Sequence, residues 1–489
     1  MVLKQKNLGA YYTPPTVVSS LVSWATDGSQ NARVLDPSCG DGRFIDGLAQ
    51  AVGIDVDPEA VATARSRTNG PSIIHADFFE WATTSASRFE AVVGNPPFIR
   101  YQRFAGTRRS RALEYCSSMG VSISGLTSSW APFIVGAASL LENGGRLAFV
   151  VPAEISHAVY ARPVLEFLLR SFEHVEILAI RDKLFEQLSE DCWLLRASGR
   201  GGSCATLTFR LADRFIGDKT EWMTQTIPTR DLARESYRLR SYLLPPHVRA
   251  LYQDLKQSLH VRRIGEFASL GIGYVTGAND FFHLRPSEAK EYGIPESLLR
   301  PAVRSNRDLA RSDITPDVVV NWRDEDRAIL LLDLNGVDVL PSGVRRYLQT
   351  PAGEAARESY KCRNRNPWYC VPDIRVPDAF LSIMSTTGPR LVANSAGCVC
   401  SNSILALTLT DGIDASQLIS VWKHPLTQLA CEVEGHHLGG GMLKVEPVEA
   451  RSIVVPLGGE ALAGSHRPLL EDGIRRMREW RNVRGARSM

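Results

Sequence analysis

The chain has 489 residues, 44% hydrophobic and 22% charged, with 38 Gly and 27 Pro, an ordinary globular composition that excludes disordered, collagen-like and disulfide-stapled classes. At roughly 150 residues per domain, this length calls for two large domains or three smaller ones. A net charge of +3 is too mild to announce a nucleic-acid partner on its own, since that footprint is usually a domain pI above ~9.

The opening segment MVLKQKNLGAYYTP lacks an apolar run of about 7–15 residues, and no later stretch reaches the roughly 18 apolar residues of a membrane span. A soluble bacterial cytoplasmic protein without membrane contact is expected. The nine cysteines form no C-x-x-C pair, so neither a zinc cage nor a disulfide framework is expected. Cys398-x-Cys400 and His436-His437 remain loose metal candidates that lack four ligands at a recognisable spacing, so no metal is assigned.

In chain order, Thr13-Pro14 opens a helix over Pro14–Ala25, with Val17, Val18, Leu21 and Val22 on one face. From Asn31 to about Leu211, short β-branched runs alternate with helix-period segments, the pattern of a doubly wound α/β fold with a parallel sheet. Expected strands are Arg33–Leu35, Ala51–Val56, Ser72–His75, Ala91–Val93, Arg146–Val151, Val175–Ile180 and Cys192–Ala197. Trp130–Leu141 reads as a helix closed by Asn143-Gly144-Gly145. After about Ser241 the rhythm stops at Pro245-Pro246. Strand-like fragments at Ile314–Asn321, Ala379–Ile383 and Ser401–Leu409 suggest an α+β domain built to present loops. The expected division is 1–240 and 241–489.

Asp36-Pro37-Ser38-Cys39-Gly40-Asp41-Gly42 sets a glycine-rich turn between a strand and a helix, where doubly wound folds bind cofactors. Its spacing departs from G-x-G-x-x-G and no Walker lysine follows, which disfavours a phosphate ligand. Asp55 ends the next strand, where an acid can accept from ribose hydroxyls. Asp77, one strand further, could take an adenine amino group beside Phe78. Singly, each acid reads equally as turn or N-cap chemistry; together they outline a nucleoside site.

The fourth strand runs into Asn95-Pro96-Pro97-Phe98. An exocyclic amino group conjugated to a base is a poor nucleophile, because its lone pair is spread into the ring. The Asn95 side-chain oxygen and the Pro96 carbonyl, preorganised by the prolines, can hold both amino hydrogens and favour a more tetrahedral nitrogen. Phe98 would stack on the base.

This series resembles the motifs of S-adenosylmethionine-dependent adenine-N6 DNA methyltransferases of the gamma class, the TaqI-like and Eco57I-like enzymes. The resemblance implies a leading motif at Leu8–Pro15 that closes over the methionine end of the cofactor. It implies cofactor contacts at Tyr11, Thr13, Asp36, Ser38, Gly40, Gly42, Asp55, Val56, Asp77 and Phe78, and a catalytic tetrapeptide Asn95, Pro96, Pro97 and Phe98. Phe133 and Phe185 would flank the target base, although each also reads as a core aromatic. Gly273–Phe282, Asn366-Pro367-Trp368-Tyr369 and Gly439–Pro447 are similar to segments of the target-recognition domain of the same group.

Under this resemblance the partner is double-stranded DNA. Arg100, Arg103, Arg108 and Arg109, in an acid-free stretch after the tetrapeptide, with Arg363 and Arg365 in the second half, are expected to grip it. The expected product is N6-methyladenine on a flipped-out base, with no covalent enzyme intermediate. Cytosine N4 poses the same electronic problem and stays open, as does a binding module that has lost activity; guanine N2 in RNA or a glutamine amide is disfavoured by the long second half. A monomer is expected, any restriction endonuclease being a separate protein.

Overall fold

The computed structural model describes residues 12–185, 188, 190–410, 412–458 and 466–483. In the first half the apolar runs pair into one nine-stranded sheet ordered β3-β2-β1-β4-β5-β7-β6-β8-β9. Its strands are β1 (Val34–Asp36), β2 (Ala51–Asp55), β3 (Ser72–His75), β4 (Phe89–Gly94), β5 (Leu141–Pro152), β6 (Phe172–Ile180), β7 (Cys192–Arg200), β8 (Thr206–Ala212) and β9 (Met223–Pro228). The five strands from β3 to β5 are parallel, and β7 enters antiparallel between β5 and β6. The winding reverses between β1 and β4, and open α/β sheets bind ligands at the carboxyl ends of strands at such a switch point.

Helices α1 (Pro15–Thr26), α2 (Pro58–Arg67), α3 (Phe78–Thr84), α4 (Gly106–Ser118), α5 (Trp130–Ser139) and α6 (Ala161–Ser171) accompany the sheet. Pro15 starts α1 at a position whose N–H would be orphaned anyway. Asp57 and Asp77 cap α2 and α3 with their carboxylates. α5 is apolar nearly all round and correspondingly buried. It ends at Ser139, earlier than expected. The glycines at 144 and 145 do not stop a helix; they lie inside β5, where its register with β4 shifts between Phe89 and Ala91.

The chain divides into two compact units, Met1–Leu243 and Leu244–Met489. Pro246, read from sequence as a break, is the first residue of a helix, Pro246–Lys256. The second unit carries small sheets, among them Ala268–Ile272, Ile404–Leu409, Ala379–Ser382 and Leu391–Ala393 in that lateral order. Ile314–Asn321 corrects the strand expectation: Pro316–Asp324 is a helix. Thr315-Pro316 supplies its opening, and Val318, Val319 and Trp322 are buried along one face, so tertiary burial overrides the β preference of the Val run. A buried ion pair fastens the last helix of this unit, Arg467–Trp480, to its neighbour Pro425–Glu434. Arg481 Nε and Nη2 donate to the two Glu432 carboxylate oxygens at 2.7 Å each. Among the described residues no helix is long and apolar enough to cross a membrane.

Candidate active site

The carboxyl ends of β1, β2, β3 and β4 open on one cavity. Its wall includes Tyr12, Thr13, Ser38, Gly40, Asp55, Val56, Asp77, Phe78, Asn95, Pro97, Ser129 and Phe133. Tyr11 lies outside the described residues.

Asp36 ends β1 and is fully buried, directly behind Pro37 and Ser38 of the wall. Ser38 N–H donates to its Oδ1 at 3.1 Å, while Oδ2 has no hydrogen-bond partner among the described residues. Burial, reinforced by the nearby Asp55 and Asp41 charges, pushes its pKa up to about 8. Asp55 also titrates above its ordinary value because it is buried. It already accepts backbone N–H bonds from Gly40 (2.8 Å) and Asp57 (2.9 Å), so its carboxylate shapes the glycine turn as well as facing the cavity.

Gly40 has φ +53° and nothing within 4 Å of where a Cβ would stand, leaving room for a ligand against the backbone. Gly42 plays another part: it is absent from the wall, and a Cβ there would come within 2.7 Å of Thr68 Cγ2. It serves the packing of the turn against α2 and Thr68.

Asp77 takes both readings open to it. Its Oδ1 caps α3 by accepting from Phe79 and Glu80 N–H at 3.1 Å each, and the residue lines the cavity. Phe78 and Phe133 stack with centroids 5.3 Å apart and planes 22° apart, which makes a broad aromatic face. Phe185 lies elsewhere, buried in the hydrophobic cluster around Leu188, Cys192 and Leu194. Phe98 packs against that same cluster, and neither it nor Pro96 is among the wall residues.

The loop after β4 is fastened on both sides. Asn95 Nδ2 donates to Thr13 Oγ1 at 3.2 Å. Ser129, immediately before α5 and almost fully buried, donates through Oγ to the Pro97 carbonyl and accepts from Ile99 N–H at 2.9 Å. Its own N–H donates to the Ile99 carbonyl at 3.0 Å. The Asn95 carbonyl accepts from Ser38 Oγ at 3.5 Å. Among the described residues no donor reaches the Pro96 carbonyl that stands between.

Sequence reasoning missed Arg43 and Ser129. Arg43 donates to both Asp41 oxygens at 2.9 and 2.7 Å and to the Thr13 carbonyl at 2.6 Å, with its guanidinium 4.6 Å from the Tyr12 ring. It ties the leading segment to the glycine turn. Burial works against the Asp41 charge, but Arg43 and Arg67 outweigh it and hold the carboxyl below its ordinary value. Asp41-x-Arg43 was visible as a spacing, whereas only the fold brings Ser129 to Ile99.

The arginines expected to grip a nucleic acid divide. Arg103 and Arg108 are exposed, and Arg108 also borders the cavity. Arg100 pairs with Glu190 at 2.7 Å while staying largely exposed, and Arg109 donates to the Gly125 carbonyl at 3.2 Å. In the second unit Arg363 is exposed. Arg365 is turned inward instead, donating to the Val275 and Thr276 carbonyls, because a guanidinium fork satisfies two adjacent carbonyls that the turn leaves open. Trp368 packs on Phe281 with centroids 5.9 Å apart. Among the described residues one group has metal-ligand proximity, His436, Glu446 and Glu449.

Residues 236–483 match the family described as the type II methyltransferase M.Eco57I C-terminal domain, and residues 67–185 match the Eco57I restriction-modification methylase family. The chain is 25% identical over 478 residues to type II methyltransferase M.XamI of Xanthomonas campestris pv. amaranthicola, covering 92% of this chain and 85% of that one. It is 19% identical over 468 residues to M.AccI of Acinetobacter calcoaceticus, covering 91% and 84%. The solved structure of the type IIL restriction-modification enzyme MmeI in complex with DNA has the same fold, with TM-score 0.57 and 14% identity over 99% of this chain and 77% of that one.

Proposed function

We infer that this chain, which belongs to the Eco57I-type restriction-modification methylase family, methylates DNA on the N6 amino group of adenine, with S-adenosylmethionine as donor. The observation that carries this reading is the meeting of four strand ends on one cavity, with acids from β2 and β3 and Asn95 on the same wall.

The residues fit the donor. Asp55 can accept from ribose hydroxyls, the Phe78–Phe133 face offers stacking, and the open position at Gly40 lets backbone approach the ligand. The buried acid Asp36 behind Ser38, held protonated by burial, would ionise opposite a cationic ligand and so favour it. When bound, the donor supplies an electrophilic methyl on a sulfonium. Everything else falls to the chain.

Asn95 Oδ1 and the Pro96 carbonyl accept the two amino hydrogens of a target base rotated out of the duplex, and so localise the nitrogen lone pair for attack. Thr13 orients the Asn95 amide, and Ser129 holds the Pro97–Ile99 backbone. The loop therefore pays little reorganisation in the transition state. Phe133 is the aromatic wall residue available to the base, whereas Phe98 packs against the core cluster. Exposed Arg103, Arg108 and Arg363 contribute phosphate contacts. The same reading has the enzyme act as a monomer, any cognate endonuclease being a separate chain.

The test is expression in a methylation-free bacterial host, with modified bases mapped by single-molecule sequencing against an Asn95→Ala control. N6-methyladenine at one short motif, absent from the control, is the expected result. N4-methylcytosine would reassign the target base, and unmodified DNA would refute the reading.

A further inference from the structure

Two large apolar side chains are exposed within three residues of the wall residues Ile99 and Ser129 without being wall residues themselves: Leu126, 65% exposed, and Tyr101, 39% exposed. Leu126 sits at the tip of a turn closed by Thr127 N–H donating to the Ser124 carbonyl at 3.2 Å. The turn is not loose. Arg109 of α4 donates to the Gly125 carbonyl at 3.2 Å, and three residues beyond Leu126 stands Ser129, which binds Pro97 and Ile99. Chain geometry thus keeps Leu126 within roughly 11 Å of the clamp on the catalytic loop. Arg103 and Arg108 are exposed on the neighbouring segment, and Arg108 borders the cavity.

An apolar tip held on a braced turn and flanked by cations is chemically suited to a nucleic-acid duplex. The arginines meet phosphates, and the tip meets the broadest apolar surface a duplex offers, the faces of its stacked bases. We propose that Leu126 is the wedge that enters the stack where the target base leaves. This rests on the reading that the chain rotates a base into the Asn95 pocket. Rotation costs unstacking and unpairing, and a group that fills the vacated space offsets part of that cost. Bracing by Arg109 and Ser129 couples the position of the wedge to that of the catalytic loop.

The test compares full-length wild type, Leu126→Ala and Leu126→Phe on duplexes carrying the mapped motif, in single-turnover methylation. One duplex is intact; its twin has an abasic site opposite the target base, which removes the pairing to be broken. Leu126→Ala is expected to be slower by about tenfold on the intact duplex, to recover to within about twofold of wild type on the abasic duplex, and to bind the donor unchanged; Leu126→Phe is expected to stay near wild type. Equal rates for wild type and Leu126→Ala on the intact duplex would overturn the proposal, as would a loss of the same size on both duplexes. A wild-type chain that methylates no DNA would overturn the underlying reading and the wedge with it; a failure of the wedge alone leaves wild type active.

Discussion

A Cβ on Gly94 would stand 2.7 Å from Asp36 Oδ1. Gly94 closes β4 just before Asn95 and Asp36 closes β1, and the two strands are neighbours in the sheet. The loop that carries Asn95 therefore leaves its strand at a place where a side chain would collide with the buried acid. Gly94 also has φ +152°, a backbone conformation that L side chains rarely adopt.

Gly94→Ala is expected to cost about 1–3 kcal/mol of stability through this strain and collision, and to lower methyl transfer more than donor affinity, because the displaced element is the Asn95 loop. Thermal melts, calorimetric donor binding and single-turnover rates separate the two effects. Unchanged transfer with an unchanged melt would refute the account.

Asp36 carries a pH signature. Burial raises its pKa from 3.8 to about 8, so the folded state holds a proton that the unfolded chain releases. The stability this proton confers is fully present below about pH 4 and is lost as pH rises through about 8. Asp36→Asn, which cannot ionise, is expected to melt higher than wild type by an amount that grows between pH 5 and pH 9, while binding the cationic donor more weakly. Parallel melting curves across that range would contradict the assignment.

Thr13→Val removes the acceptor of the Asn95 Nδ2 bond with little change of volume. The expected result is a kcat reduced by about tenfold, worth one hydrogen bond in the transition state, with the fold intact by circular dichroism. An unaltered kcat would show that Asn95 is oriented by other contacts.

Ser129→Ala deletes both side-chain bonds to the Pro97–Ile99 backbone, and about a 10- to 100-fold fall in kcat is expected, with KM for the donor nearly unchanged. Ser129→Thr restores the hydroxyl, and partial rescue distinguishes a positioning role from packing alone. A loss confined to KM would exclude it.

In the second unit, Arg481→Leu removes two guanidinium hydrogen bonds from the buried Glu432 carboxylate. A destabilisation of about 3 kcal/mol is expected, confined to Leu244–Met489, because both partners of the pair lie in that unit. Hydrogen exchange resolved by region reads this directly. Equal loss of protection in both units would argue against it.

The parallel part of the sheet, β3 to β5, and its strand ends were legible because short β-branched runs alternating with amphipathic helices admit few other folds. The antiparallel courses of β7 and β9 correct the expectation of a parallel sheet throughout. The acids and Asn95 were legible because each directly follows such a run. What misled was local preference without context. Val318-Val319-Val320 read as strand yet forms a helix with one face buried, and Gly144-Gly145 read as a helix stop yet lies within β5. Arg365 read as a surface cation yet satisfies two carbonyls some ninety residues away.

The sequence by itself determined the type and order of the site's parts: a glycine turn, three acids and Asn-Pro-Pro-Phe, each at the end of an apolar run, because strand periodicity and turn chemistry are properties of neighbours along the chain. The tertiary structure alone decided that Gly94 passes against Asp36, that Thr13 meets Asn95 across 82 residues, that Ser129 clamps the Pro97–Ile99 backbone, and that Phe185 packs into a core while Phe133 reaches the cavity. Those relations depend on which strands lie side by side and which side chains compete for one buried space, and no spacing along a single chain encodes that.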